Sequence, residues 1–140
     1  MSPSPSQVTV SAFIAKPVAL VWKYWTEPEH VMQWNIVSDD WHCPEAVNDM
    51  RPGGRFRFRM EALDGSYSFF ISGEHRLVEP GKRIVSTLDD GRSVEALLTE
   101  HGDGTYLSEN IDVGGDNPVP MQRAGWQANL DRFKAYVEAL

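Results

Sequence analysis

The sequence predicts an α+β fold in which helices cover one face of an antiparallel sheet. Three observations predict it: one strand and two short helices open the chain, five short strands follow, and a long amphipathic helix closes it. The connections between the strands are short, so neighbouring strands should run antiparallel. The length of 140 residues suits one domain, residues 8–140, after a disordered tail at 1–7 that is rich in Ser and Pro.

The opening region predicts one strand and two helices. Residues 7–15 alternate apolar and polar side chains, which is typical of a strand. Pro17 suits the first turn of a helix, because proline lacks the N–H group that this turn leaves unpaired. Thr26 and Glu29 have the spacing of a capping box, which predicts a second helix carrying Trp34. The apolar face of the first helix consists of Val18, Val21, Trp22 and Trp25.

The middle of the chain predicts a meander of strands. Asp-Gly pairs at residues 64–65 and 90–91 are typical of tight hairpin turns. Gly73 lies inside the longest strand and predicts a bend or bulge there. The predicted strands are residues 55–60, 66–79, 83–88, 93–100 and 105–112.

The C-terminal segment predicts the long helix. Residues 114–120 form a loop in which Asn117 is expected to cap the helix and Pro118 to occupy its first position. One apolar stripe then runs along a helix of about 20 residues, and it comprises Trp126, Leu130, Phe133, Val137 and Leu140.

The stretch 48–60, "NDMRPGGRFRFRM", allows three interpretations: a phosphate-binding turn, an RNA-binding strand or the wall of an apolar interior. No helix and no Gly-Lys-Ser/Thr sequence follows Gly53 and Gly54, as a phosphate loop would require. The net charge of −7 argues against nucleic acid as a partner. The third interpretation is favoured: Phe56, Phe58 and Met60 face inward beneath the C-terminal helix, and three arginines face solvent.

No metal site, cofactor or catalytic motif is predicted. A single cysteine excludes an intramolecular disulfide, and His42 and Cys43 would point to opposite faces of a strand. Among the carboxylates, Glu95 lies on the opposite side of its predicted strand from the apolar residues and should face solvent. Glu109 lies on the same side of its predicted strand as apolar residues and should face inward. There we expect its carboxylate to pair with a strand arginine. Acid–base catalysis by Glu109 is the alternative.

Five Trp, four Tyr and six Phe indicate either a dense core or a cavity lined with rings, and the sequence leaves both open. If a cavity exists, most of its lining should be apolar, with a few polar groups to orient a ligand. The candidate ligand-binding residues are Trp34, Trp41, Phe56, Phe58, Met60, Tyr67, Phe69, His75, Glu109, Trp126 and Leu130.

Several segments occur in a specific order and spacing: residues 26–34, 49–54, 64–75, 78–84, 89–98 and 117–133. Together they resemble the activator-of-heat-shock-protein-ATPase-like family of the START-like (SRPBCC) helix-grip superfamily. The resemblance implies a curved antiparallel sheet wrapped around the C-terminal helix, and a pocket for apolar molecules in many relatives. It supplies no catalytic motif. His75 stands where relatives often have an aromatic residue, and residues 109–112 replace a run that usually contains Phe.

The first hypothesis for function is therefore binding of an apolar or aromatic small molecule between sheet and helix. The alternatives are a module that contacts a chaperone ATPase through the arginine face of residues 55–59, and a cyclase- or hydrolase-type enzyme acting on a hydrophobic substrate. Residues 1–7 lack the features of a signal peptide, and no apolar run is long enough for a membrane helix. We expect a cytoplasmic monomer or homodimer.

Overall fold

The computed structural model describes residues 7–36, 38–115 and 117–140. Of the tail predicted at residues 1–7, residues 1–6 lie outside the described residues. Gln7 belongs to the first strand, so the prediction is wrong at that position. The elements are β1 (Gln7–Ile14), α1 (Val18–Thr26), α2 (Pro28–Trp34), β2 (Trp41–Asn48), β3 (Arg55–Ala62), β4 (Ser68–Glu79), β5 (Arg83–Leu88), β6 (Ser93–His101), β7 (Gly104–Asp112) and α3 (Val119–Glu138).

The strands form one seven-stranded sheet in the order β1-β7-β6-β5-β4-β3-β2, and every neighbouring pair is antiparallel. Strands β2 to β7 follow one another as hairpins, and β1 pairs with β7, so the N-terminal strand forms one edge and β2 the other. The sheet is curved and α3 packs against it, which confirms the predicted α+β helix-grip architecture.

Strand β2 is absent from the prediction. Pro44 removes a backbone donor, and the pairing with β3 shifts register between His42 and Glu45, so the segment lacks the regular alternation by which strands are recognised. Its place at the edge of the sheet explains how it tolerates the proline.

Both predicted helix caps are wrong. Glu27 occupies the N-cap of α2, and the Thr26 hydroxyl instead donates to the Trp22 carbonyl at 2.8 Å. Pro118 rather than Asn117 is the N-cap of α3, and the Asn117 carbonyl accepts a hydrogen bond from Gln122.

The two faces of β3 differ as predicted. Phe56 and Met60 are buried and Phe58 is half-buried, whereas Arg55 and Arg57 are exposed. The position of the long helix differs from the prediction, since α3 packs mainly against β1 and not directly over β3. At the other edge α2 packs against β2, and among the described residues no helix packs closely on β4 or β5. The centre of the concave face is therefore left open.

Aromatic rings join the three helices. The indoles of Trp25 and Trp34 stack with centroids 4.9 Å apart, and the Phe133 ring meets them edge-on at 4.9 and 4.8 Å. Phe133 is fully buried, and the indole N–H of Trp34 donates to the Tyr24 carbonyl. The predicted stripe of α3 is buried at Leu130, Phe133 and Val137, but Leu140, past the end of the helix, is 55% exposed. In the described part of the chain, no helix has the length and apolarity needed to cross a membrane.

We expect Gly73→Ala to destabilise the protein by about 1–3 kcal/mol. A Cβ atom at Gly73 would lie 2.3 Å from the Thr87 carbonyl oxygen and 2.7 Å from the Phe56 ring. The matched control is Gly125→Ala in α3, where the added Cβ meets nothing within 4 Å. This control should stabilise by about 0.5–1 kcal/mol, because Ala favours helix more than Gly. Urea unfolding measures both, and equal effects would contradict the crowding at Gly73.

Candidate functional site

A half-open cavity of about 130 Å³ occupies the uncovered centre of the concave face. Strands β3 to β7 form its floor, the short helices α1 and α2 contribute one wall, and α3 contributes another. Its lining is largely apolar. Six residues predicted as ligand-binding line it: Trp34, Phe56, Phe58, His75, Glu109 and Trp126.

His75 on β4 is the centre of a buried hydrogen-bond network at one end of the cavity. Its Nδ1 lies 2.8 Å from the Ser86 hydroxyl and its Nε2 lies 2.6 Å from Asn48 Oδ1. Asn48 donates its amide to the Thr26 carbonyl at 2.7 Å, so its oxygen accepts from His75 Nε2–H. Nδ1 then accepts from Ser86, which fixes one neutral tautomer of the imidazole.

Burial accounts for the charge state of this histidine. The ring is 5% exposed, and desolvation lowers the pKa of His75 below its ordinary value, against a smaller opposing effect from Asp49. The Phe56 ring stacks on the imidazole with centroids 4.9 Å apart. His75 is therefore an uncharged group that is held by both ring nitrogens.

The glycine pair before β3 positions His75. Gly53 N–H donates to the His75 carbonyl at 2.7 Å, and His75 N–H donates to the Gly54 carbonyl at 2.9 Å. Gly53 has a φ of 83°, and a Cβ at Gly54 would lie 2.1 Å from the Asp49 carbonyl oxygen. The glycines thus let the chain turn into β3 and pair with β4, as the interpretation of an entry turn requires.

Glu109 on β7 is the second polar group of the cavity floor. Its side chain is 4% exposed, and its Oε1 has no hydrogen-bond partner among the described residues. Desolvation raises the pKa of Glu109 from 4.5 to about 8. The predicted inward orientation is confirmed, but the expected pairing with a strand arginine is wrong. Glu95 faces the other side of the sheet, as predicted, where it accepts hydrogen bonds from Arg83 and Asn110.

The five other predicted site residues lie outside the cavity lining. Trp41, Tyr67 and Phe69 form an aromatic cluster with centroids 5.5 to 6.3 Å apart, and Tyr67 is 62% exposed. Met60 is buried, and Leu130 belongs to the main hydrophobic core with β1 and β7. The structure does not bring these five into contact with the cavity.

Several lining residues were missed by sequence analysis. Ser86 shares the inward phase of Ile84 and Leu88 on β5, a period-two signal that could have identified it. Asn48 lies on β2, a strand that was not predicted, so its place in the cavity lining could not be inferred from the sequence. Asn129 on α3 donates to Asn35 Oδ1 at 3.1 Å, and this pairing of two distant residues has no local sequence signal.

The arginine face of β3 is paired within the chain. Arg55 binds Asp89 at 2.8 and 2.9 Å, and Arg59 binds Glu45 and Glu61 at 3.1 and 3.0 Å. Arg57 lies over the Phe70 ring, 4.8 Å from its centroid. These contacts balance the positive charge locally.

Cys43 is buried, and desolvation raises its pKa to about 11, so it is a protonated thiol near neutral pH. Within residues 7–36, 38–115 and 117–140, no three His, Cys, Asp or Glu side chains are placed to hold a metal ion.

A family model described as "Activator of Hsp90 ATPase homolog 1-like protein" matches residues 15–138. The chain belongs to this family. No curated protein matches the chain. The resemblance inferred from the ordered segments is thereby confirmed, and with it the helix-grip fold.

Solved structures agree with this assignment. The solution NMR structure of an AHSA1-like protein from Aeromonas hydrophila is 36% identical, with a TM-score of 0.92, and the match covers 96% of this chain and 93% of that one. A Cytophaga hutchinsonii protein is 41% identical, with a TM-score of 0.82 and coverage of 95% and 92%. A Chromobacterium violaceum protein, 22% identical with a TM-score of 0.83, shares the fold over 96% of this chain and 99% of its own.

We expect Glu109→Gln to stabilise the protein by an amount that grows with pH. The carboxyl ionises near 4.5 in the unfolded chain but at about 8 in the folded protein. Between these values the folded state retains a proton that the unfolded state has lost, so wild-type stability falls as pH rises. Urea unfolding at pH 5, 7 and 9 should show a difference that widens by several kcal/mol, since one pKa unit corresponds to about 1.4 kcal/mol.

The matched control is Glu100→Gln, which removes a carboxyl from an exposed position on β6. If the gain from Glu109→Gln widened with pH no more than that of the control, the assignment of Glu109 as a buried neutral acid would be wrong.

Proposed function

We propose that the protein binds an apolar or aromatic small molecule in the cavity between the sheet and its helices. The observation that carries the proposal is the composition of the cavity wall. Apolar side chains from four strands, β3 to β6, and from all three helices line most of the space, and polar groups are the minority. Most of these polar groups are held by hydrogen bonds within the chain, at His75 and at Asn129. This pattern, mostly apolar with a few fixed polar groups, is typical of small-molecule sites.

Tryptophan fluorescence provides the direct test. Three of the five tryptophans line the cavity: Trp25, Trp34 and Trp126. We expect titration with α-methylstyrene, an apolar one-ring probe, to change their emission in a saturable manner. The same probe should raise the melting temperature, because a ligand that binds the folded state alone stabilises it.

Substitutions within β6 distinguish binding of the probe in the cavity from non-specific binding elsewhere on the protein. Ala96→Leu adds an apolar group to a buried lining position and should weaken α-methylstyrene binding about tenfold or more by occupying the space. The matched control is Leu97→Met, next along the strand and facing the opposite side of the sheet, which should leave affinity unchanged. Equal affinity in Ala96→Leu and wild type would place the probe elsewhere and refute the proposal.

An acid–base enzyme is the second candidate, because two cavity groups have shifted pKa values: that of Glu109 is raised to about 8 and that of His75 is lowered. A carboxyl that titrates near neutral pH is suited to exchange protons with a substrate.

This candidate predicts that the wild type accelerates exchange of the acetophenone methyl protons with deuterium in D₂O, as followed by NMR. At a pH near 8, part of the Glu109 population is ionised and can take up the proton. Glu109→Gln should then reduce the rate to that of buffer, because Gln cannot take up the proton. If wild type and variant exchange equally, Glu109 does not perform this chemistry.

Interaction with a chaperone ATPase, suggested by the family description, has less support. Two of the three arginines that such a surface would present, Arg55 and Arg59, are already engaged by Asp89, Glu45 and Glu61.

A further inference from the structure

The cavity floor contains a hydrogen-bonding group that the protein itself does not satisfy. Glu109 Oε1 is buried without a partner among the described residues. The residues opposite Glu109 on the adjacent strands are Val10 and Ala96, and its neighbours on the same face of β7 are Leu107 and Ile111. All four are apolar and do not stabilise the ionised form of the carboxyl, so the neutral acid is favoured. The acid hydroxyl then lacks an acceptor.

The other titratable groups of the packed elements do not supply a partner. His75 on β4 is three strands away, roughly 14 Å along the sheet, and both its ring nitrogens are engaged by Asn48 and Ser86. On α3, Arg132 binds Asp39 and Lys134 binds Glu138. No Lys or Arg is among the residues that line the cavity in the described ranges.

The volume limits the size of the ligand. An apolar cavity of about 150 Å³ accommodates a single benzene ring. The cavity here measures about 130 Å³ and is half-open, which suits one ring with a small substituent.

Resting on the proposed function, we propose that the cavity selects uncharged one-ring molecules whose carbonyl oxygen accepts a hydrogen bond from the carboxyl group of Glu109. A ligand carbonyl supplies the acceptor that the acid lacks, and a buried donor left without a partner is costly.

Charged ligands fit less well. A ligand carboxylate would enter an apolar space in which the described lining offers no cation. A ligand cation would lose its hydration and would pair with Glu109 only after the acid had released its proton. The cavity therefore discriminates by charge as well as by shape.

Four probes of similar shape test this preference: acetophenone, α-methylstyrene, benzamidine and benzoate. The last three replace the methyl ketone by an alkene, a cation and an anion. At pH 6.5 we expect benzamidine and benzoate to bind wild type at least about tenfold more weakly than acetophenone.

Variants test whether Glu109 causes the preference for acetophenone over α-methylstyrene. The affinity of acetophenone relative to α-methylstyrene should fall about five- to tenfold in Glu109→Leu, which loses the donor. Glu109→Gln keeps an N–H donor and should retain most of the preference. The matched control is Glu100→Leu, which removes an exposed carboxyl on β6 outside the cavity lining and should leave the ratio unchanged.

The pH dependence is a separate readout. Acetophenone affinity should be level from pH 5.5 to 7 and fall above the pKa of Glu109, about 8, where the donor proton is lost. The affinity of α-methylstyrene, which accepts no such bond, should change much less over the same range.

The outcomes separate the two proposals. If α-methylstyrene binds but Glu109→Leu leaves the relative affinity of acetophenone unchanged, the selectivity is refuted while the binding function stands. Tighter binding of benzamidine or benzoate than of acetophenone would equally refute it, in favour of a charged ligand. If none of the four probes binds, both proposals fail.

Discussion

The contact of Trp25, Trp34 and Phe133 is the constraint on which the arrangement of the molecule depends. Two stacked indoles and one edge-on ring join α1, α2 and α3 into a single layer. This layer is attached to the sheet at its two edges, through α3 on β1 and α2 on β2. Aromatic rings bury large areas in well-defined geometries, so the layer resists collapse onto the middle of the sheet. The open centre of the concave face follows from that attachment.

Both ends of the cavity contain buried polar groups, but the hydrogen bonding of these groups differs. At β4, His75 is satisfied by Asn48 and Ser86, and the backbone of Gly53 and Gly54 holds the strand in place. Such a satisfied network makes the wall rigid at little cost. At β7 the carboxyl of Glu109 is buried among apolar side chains, and its Oε1 has no hydrogen-bond partner in the described part of the chain. The cavity floor therefore contains one polar network that is already hydrogen-bonded, around His75. It also contains one buried oxygen, Glu109 Oε1, without a partner among the described residues.

Sequence analysis recovers most of the sheet because its strands alternate regularly and its turns contain Asp-Gly. Residues 83–88 were predicted as the strand that the structure has, and the inward phase of Glu109 followed from the same period of two. Strand β2 escaped prediction because Pro44 and a bulge interrupt its alternation. The cavity itself could not be predicted, because whether Phe56 and Phe58 meet a helix or a space depends on where α3 packs. That position is set by tertiary contacts and has no local signal.

The same limit explains why Trp41, Tyr67 and Phe69 were included among the site residues. Their types suit a ligand site, yet they form a separate cluster on β2 and β4. Residue type and phase identify which face of a strand is apolar, but they do not say how far along the strand the helices reach.

Glu109 at the floor of the cavity departs from the local pattern of apolar residues, and this departure supports the proposed function. A Gln or Leu at this position would avoid the cost of burying an ionisable group, and the fold would keep its pattern of apolar neighbours. Proteins that satisfy their structural rules elsewhere concentrate such departures at functional sites. Other polar groups around the cavity are paired, His75 with Asn48 and Ser86 and Asn129 with Asn35. Glu109 Oε1, which lacks a hydrogen-bond partner among the described residues, is therefore the group that the proposed ligand would satisfy.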